Sequence, residues 1–152
     1  MMQRDAAALT QTALAALSEG NPAKARDLLE QAIAAGHADV SAWLALAHAR
    51  SKLGDDTGET AAIDAALALQ PGDLRALLAK ADHLTAGGDV RAASAFYSAA
   101  LRYLPRFDQL PPQLQDGLRR AQAANQNVAR ELEDFVRAKL EARGLGPNHG
   151  PR

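Results

Sequence analysis

Apolar residues recur along this chain at steps of three and four, the spacing that places them on one face of a helix. Leu9, Ala13, Ala16 and Leu17 mark the first face, within a helix expected over about Asp5–Ser18. Gly20 ends that helix. Asn21 then serves as N-cap for a second, with Pro22 at its first position, where a missing N–H costs nothing. Ala25, Leu28, Leu29, Ala32 and Ile33 make the second stripe, and Gly36 stops it. Asp39 is the expected cap of the next helix, which carries Trp43, Leu46 and Ala47. Further stripes follow at Ile63, Ala66 and Leu67, then at Leu77, Ala81 and Leu84, then at Ala93, Tyr97, Ala100 and Leu101. A final long helix is expected over Pro112–Arg143. Its apolar positions include Leu114, Leu118, Ala121, Val128, Leu132 and Phe135, with Asn125 in the gap.

These stripes keep one register. Gly20, Gly54 and Gly88 lie 34 residues apart, as do Ala32, Ala66 and Ala100, and Ile33, Leu67 and Leu101. Pro71 and Pro105 share the interval. Over about Ala6–Pro105 the chain resembles the tetratricopeptide-repeat (TPR) family, whose helix–turn–helix unit has this length. Trp43, Leu46 and Ala47 match its W-x-x-L-G opening, with Ala in place of Gly. The resemblance implies an all-α, right-handed α-solenoid of three repeats, about 6–39, 40–73 and 74–108. First helices would line a concave groove, and second helices its convex back. Residues 109–143 form the C-terminal capping helix, and 144–152 a disordered tail. The same helix, with steps alternating four and three, also suits a coiled-coil seam.

Departures from the pattern carry expectations of their own. Glu59 stands where the family usually has a small Ala, and Gly58 beside it weakens helix initiation by about 1 kcal/mol relative to Ala. The second helix of repeat two is therefore expected to start late or fray. Lys80 occupies a usual Leu position, so its stem should pack while its ammonium reaches water. A narrower resemblance rests on Arg75–Lys80, Gly88-Asp89, Ala95–Arg102 and Leu110-Pro111-Pro112 followed by a helix. This arrangement is similar to the repeat segment preceding the catalytic domain in bacterial aspartyl/asparaginyl β-hydroxylase-like proteins, which are iron- and 2-oxoglutarate-dependent. Nothing after Arg143 could build that β domain, so the kinship would make this chain a substrate-positioning arm without the catalytic part.

Composition narrows the function classes. Apolar residues make up 47% but aromatics only 4%, so Ala and Leu carry the core, which favours close helix packing over a sheet. The formal net charge of −1 offers no basic excess for nucleic acid. With no cysteine there is neither disulfide nor thiolate chemistry. No apolar run is long enough to span a membrane, and a cytoplasmic location is the expectation. His37-Ala38-Asp39 reads as H-x-D, two ligands of an iron facial triad, but it falls between helices, and no third ligand among His48, His83 and His149 has a reason to converge. No phosphate loop or nucleophile elbow is present. No catalytic residue, metal site or cofactor is assigned.

By analogy with the family, the groove is lined by recurring first-helix positions. The candidate binding residues are Gln11 and Leu14, then Leu44, His48 and Lys52, then Arg75, Leu78 and Asp82. A segment bearing an acidic group and an apolar anchor suits this set. Relatives that clamp a C-terminal carboxylate use basic and Asn residues where this chain has Thr10, Leu14, Ala45, Arg75 and Ala79. Only Arg75 keeps the charge, so a chaperone-tail clamp is not expected. The expected function is that of a non-catalytic protein–protein interaction module or scaffold with a protein or peptide partner. The alternatives are the hydroxylase arm and a homodimer formed through the Leu114–Phe135 stripe.

Overall fold

The computed structural model describes residues 2–102 and 109–145. Pro105, residues 106–108 and residues 146–152 of the expected tail, His149 among them, lie outside them. Seven helices occur among the described residues: α1 (Met2–Ser18), α2 (Pro22–Ala34), α3 (Val40–Lys52), α4 (Asp56–Leu69), α5 (Leu74–Ala86), α6 (Val90–Arg102) and α7 (Pro112–Ala142). The first six form three antiparallel hairpins stacked side by side, α1–α2, α3–α4 and α5–α6, and α7 packs along α6 and α5. The architecture is an all-α solenoid.

One local device makes each hairpin. At Gly20, Gly54 and Gly88 the chain turns with φ of 78°, 74° and 86°, a conformation open to glycine at little cost. The following residue donates its N–H back across the helix end: Asn21 to Ala16 O at 2.8 Å, Asp55 to Arg50 O at 2.9 Å, Asp89 to Leu84 O at 2.9 Å. This is the Schellman closure. The side chain of that same residue then opens the next helix, accepting from Lys24 N (3.2 Å), Gly58 N (2.9 Å) and Ala92 N (3.1 Å). Asp39 and Asp73, also in register, cap α3 and α5 by accepting from Ala42 N and Ala76 N. A Gly-Asn/Asp pair thus stops one helix and starts its partner within two residues.

The core is made of small side chains. Ala13, Ala47 and Ala81 on the first helices are buried, as are Ala32, Ala66 and Ala100 on the second. Leu29, Leu46, Ile63 and Leu118 are the largest side chains fully withdrawn from water. Trp43 is half-buried and bridges two of the core clusters.

One expectation changes. Helix α4 does not start late: it begins at Asp56, directly after its Asp55 cap. Gly58 is where Arg50 crosses, donating from Nη1 to Gly58 O at 3.0 Å and from Nη2 to Glu30 Oε1 at 3.1 Å, so one guanidinium ties α2, α3 and α4. A Cβ on Gly58 would lie 2.8 Å from Arg50 Cδ and collide with the Asp55 carboxylate. The glycine makes room rather than loosening the helix. Lys80 packs its stem, and at the surface its Nζ reaches Asp64 Oδ1 on α4 at 2.7 Å.

Gly58→Ala tests this reading. Helix propensity alone favours Ala by about 1 kcal/mol. Displacing the cap and the Arg50 bonds costs about 1 kcal/mol each. Urea unfolding should therefore show a net loss of roughly 1 kcal/mol, and a gain would mean that Gly58 is only a weak helix former.

Candidate functional site

The first helices α1, α3 and α5 stand side by side and leave a groove of about 1020 Å³ between them. Its floor is apolar: Leu14 and Leu17 from α1, Leu44, Ala45 and Ala47 from α3, Ala79 from α5, and Ile63 from α4. Polar groups sit at its two edges. At the edge near the starts of α3 and α5, Arg75 reaches across to Ser41 Oγ at 3.1 Å and to Asp73 Oδ2 at 3.3 Å. Ser41 and Arg75 hold the same place in successive repeats, so this bond crosses from one first helix to the next. At the opposite edge, near the hairpin turns, lie Asp56, Glu59 and His83.

That second edge is built across a seam between hairpins. His83 on α5 lies between two groups of α4, its Nδ1 3.2 Å from Glu59 Oε2 and its Nε2 2.8 Å from Thr60 Oγ1. Glu59, which breaks the repeat pattern, therefore joins hairpins two and three instead of obstructing one hairpin. All three side chains were outside the candidate set. Their only sequence signal was the Glu at a position that usually holds a small residue.

Of the candidate residues, Leu14, Leu44, His48, Arg75 and Asp82 line the groove together. Gln11 and Lys52 are exposed on α1 and α3 but outside the lining. Leu78 is not at the floor; it is only 5% exposed and lies under α7, where a Cβ on Gly117 would come within 2.8 Å of Leu78 Cδ1. Thr10 is buried and bonds back to Ala6 O. Asp39 caps α3, with its second oxygen 3.5 Å from His37 Nε2.

Asp82 is committed to the scaffold. It accepts from Tyr97 OH on α6 at 2.6 Å and from Arg120 Nη2 on α7 at 3.0 Å, so one carboxylate joins three helices at the groove wall. Burial raises the Tyr97 phenol above its ordinary value, and the Asp82 hydrogen bond raises it further. The Asp82 bond likewise strengthens the hold of Arg120 on its proton. Arg75 is the strong cation of the lining, and it is already paired with Asp73.

No family model and no curated protein matches the chain. Solved structures do. The first TPR of Spaghetti (RPAP3), bound to the HSP90 peptide SRMEEVD, superposes with a TM-score of 0.67 at 17% identity, covering 80% of this chain and 96% of that one. The Yersinia enterocolitica type III secretion chaperone SycD, in complex with a peptide of the translocator YopD, gives 0.63 at 17% identity, covering 76% and 90%. At this identity the likeness establishes the fold, which is that of TPR domains. These two structures lend no support to the narrower resemblance to hydroxylase-associated repeats. No helix among the described residues is long and apolar enough to cross a membrane.

The Tyr97–Asp82 bond has a pH signature. The folded state raises this phenol above the ordinary 10.0, so its contribution is complete below that pH and is lost as pH climbs through the folded value. Near neutrality Tyr97→Phe should cost about 1–2 kcal/mol. In denaturant titrations the gap should narrow as pH rises above the ordinary phenol value of 10.0, and a gap independent of pH would contradict the linkage.

Proposed function

We propose that the chain is a non-catalytic interaction module that takes a short segment of a partner protein along the groove. The observation that carries this reading is the groove's construction: one continuous apolar floor across three successive first helices, with ionic side chains at both edges. Peptides held by two solved domains of the same fold support it. The partner segment needs an apolar anchor for Leu14, Leu17 and Leu44, an acidic group for Arg75, and a basic or hydrogen-bonding group toward Asp56 and Glu59. A carboxylate-tail clamp is not part of the proposal, since Arg75 is the single basic residue at the clamp positions. A cytoplasmic setting belongs to this reading. No observation favours the hydroxylase-arm alternative over it.

Selection from a random peptide library displayed on phage tests the proposal. Recovered peptides should share an apolar anchor and an acidic residue. Arg75→Glu combined with His48→Glu should weaken their binding about tenfold, which corresponds to roughly 1.4 kcal/mol. Thermal stability should shift little, because both residues are exposed. Capture that survives both this pair and Leu44→Asp would place the binding face elsewhere.

A further inference from the structure

Helix α7 is longer than its task on the solenoid. Leu114, Leu118, Ala121 and Ala124 pack against α5 and α6, and Asn125 is fixed between Ser94 Oγ (2.9 Å) and Ser98 Oγ (3.0 Å). After Val128 every described residue is exposed. The helix nevertheless continues to Ala142 with its stripe intact: Leu132, Phe135, Val136 and Leu140 remain on one face, exposed at 61%, 59%, 46% and 39%. A free helical segment of this length is marginal in water, so an apolar stripe along it calls for a partner.

Its charges identify that partner. By helical spacing Lys139 and Arg143 fall on the stripe itself, towards its C-terminal end, and the Lys139 ammonium lies 5.5 Å from the centre of the Phe135 ring. Glu131 and Glu133 flank the stripe towards its N-terminal end. Two copies laid parallel would set Lys139 against Lys139 and Arg143 against Arg143 within the apolar contact. Laid antiparallel and crossing at Val136, they set Lys139 against Glu133 and relieve Arg143 of its like-charged twin by placing it opposite Ala129, while Leu132 meets Leu140. The face is complementary to itself in one orientation only, as an isologous two-fold contact requires.

We propose that the distal half of α7 is a homodimer contact in which two copies pair antiparallel about a two-fold axis near Val136. The proximal half stays on its own solenoid. The dimer would therefore hold two grooves on opposite sides of a short helical bridge. The stripe is small, so the association belongs in the micromolar range. The contact is independent of the groove and of what the groove binds.

The absence of cysteine gives a direct test. In an antiparallel pair Val136→Cys should cross-link to itself under mild oxidation. Leu132→Cys and Leu140→Cys should each stay uncrosslinked alone, since like positions lie about 12 Å apart, yet should cross-link at least tenfold faster when mixed. Sedimentation should show a monomer–dimer equilibrium, weakened at least tenfold in Lys139→Glu. Mixing that variant with Glu133→Lys should restore it. A wild-type monomer at about 100 µM would overturn the proposal, since pairing at micromolar affinity would be well populated there. So would self-cross-linking of Leu132→Cys as fast as the mixture, or growth beyond dimer, which would mean that the stripe enters another copy's groove.

Discussion

Close approach of helices through alanine is the constraint on which this molecule rests. Ala13, Ala47 and Ala81 recur on the first helices, and Ala32, Ala66 and Ala100 on the second, all buried and all 34 residues apart. A methyl group lets two helix axes come near the short end of the usual 8–10 Å range, and a larger side chain at any of these places forces them apart. Because the spacing repeats, successive hairpins stack with their first helices along one side. The groove is the space this stacking leaves. Large side chains then serve as fillers at fixed places, which is why a core with so few aromatics suffices.

Polar groups act on top of that packing as fasteners between hairpins. Arg50 joins hairpins one and two, Lys80 and His83 join two and three through Asp64, Glu59 and Thr60, and Asp82 joins α5 and α6 to α7. Half of these fasteners sit where the repeat pattern is broken. Glu59 and Lys80 leave the consensus because each reaches a neighbouring hairpin, and Gly58 is small because Arg50 passes over it. Several also line the groove, so the scaffold and the binding face share residues. Charge in the groove is consequently less free than a count of its acids and bases suggests.

The sequence displayed the parts of this structure that are local. Helix faces, the Gly-Asn/Asp turns and the Asp39 cap depend on residues within a few positions of one another, and periodicity reveals them. What it concealed depended on distant chain. Leu78 has the spacing of a groove residue, but α7, some forty positions later, covers it. Asp82 has the charge of a ligand contact, but Tyr97 and Arg120 already hold it. The late start expected for α4 failed for the same reason, since propensity at Gly58 takes no account of Arg50. The stripe of α7 looked uniform, and only its packing divides it into a half that covers the solenoid and a half that faces water.

If the alanine register sets the first helices side by side to receive a peptide, a bound peptide should be felt along that face. Amide and methyl chemical shifts of the isotope-labelled chain, followed as a selected peptide is added, measure this directly. The shifts should concentrate on Leu14, Leu17, Leu44, His48, Arg75 and Ala79, with the outward faces of α2, α4 and α6 silent. Perturbations centred on those second helices, or on the distal half of α7, would contradict the account.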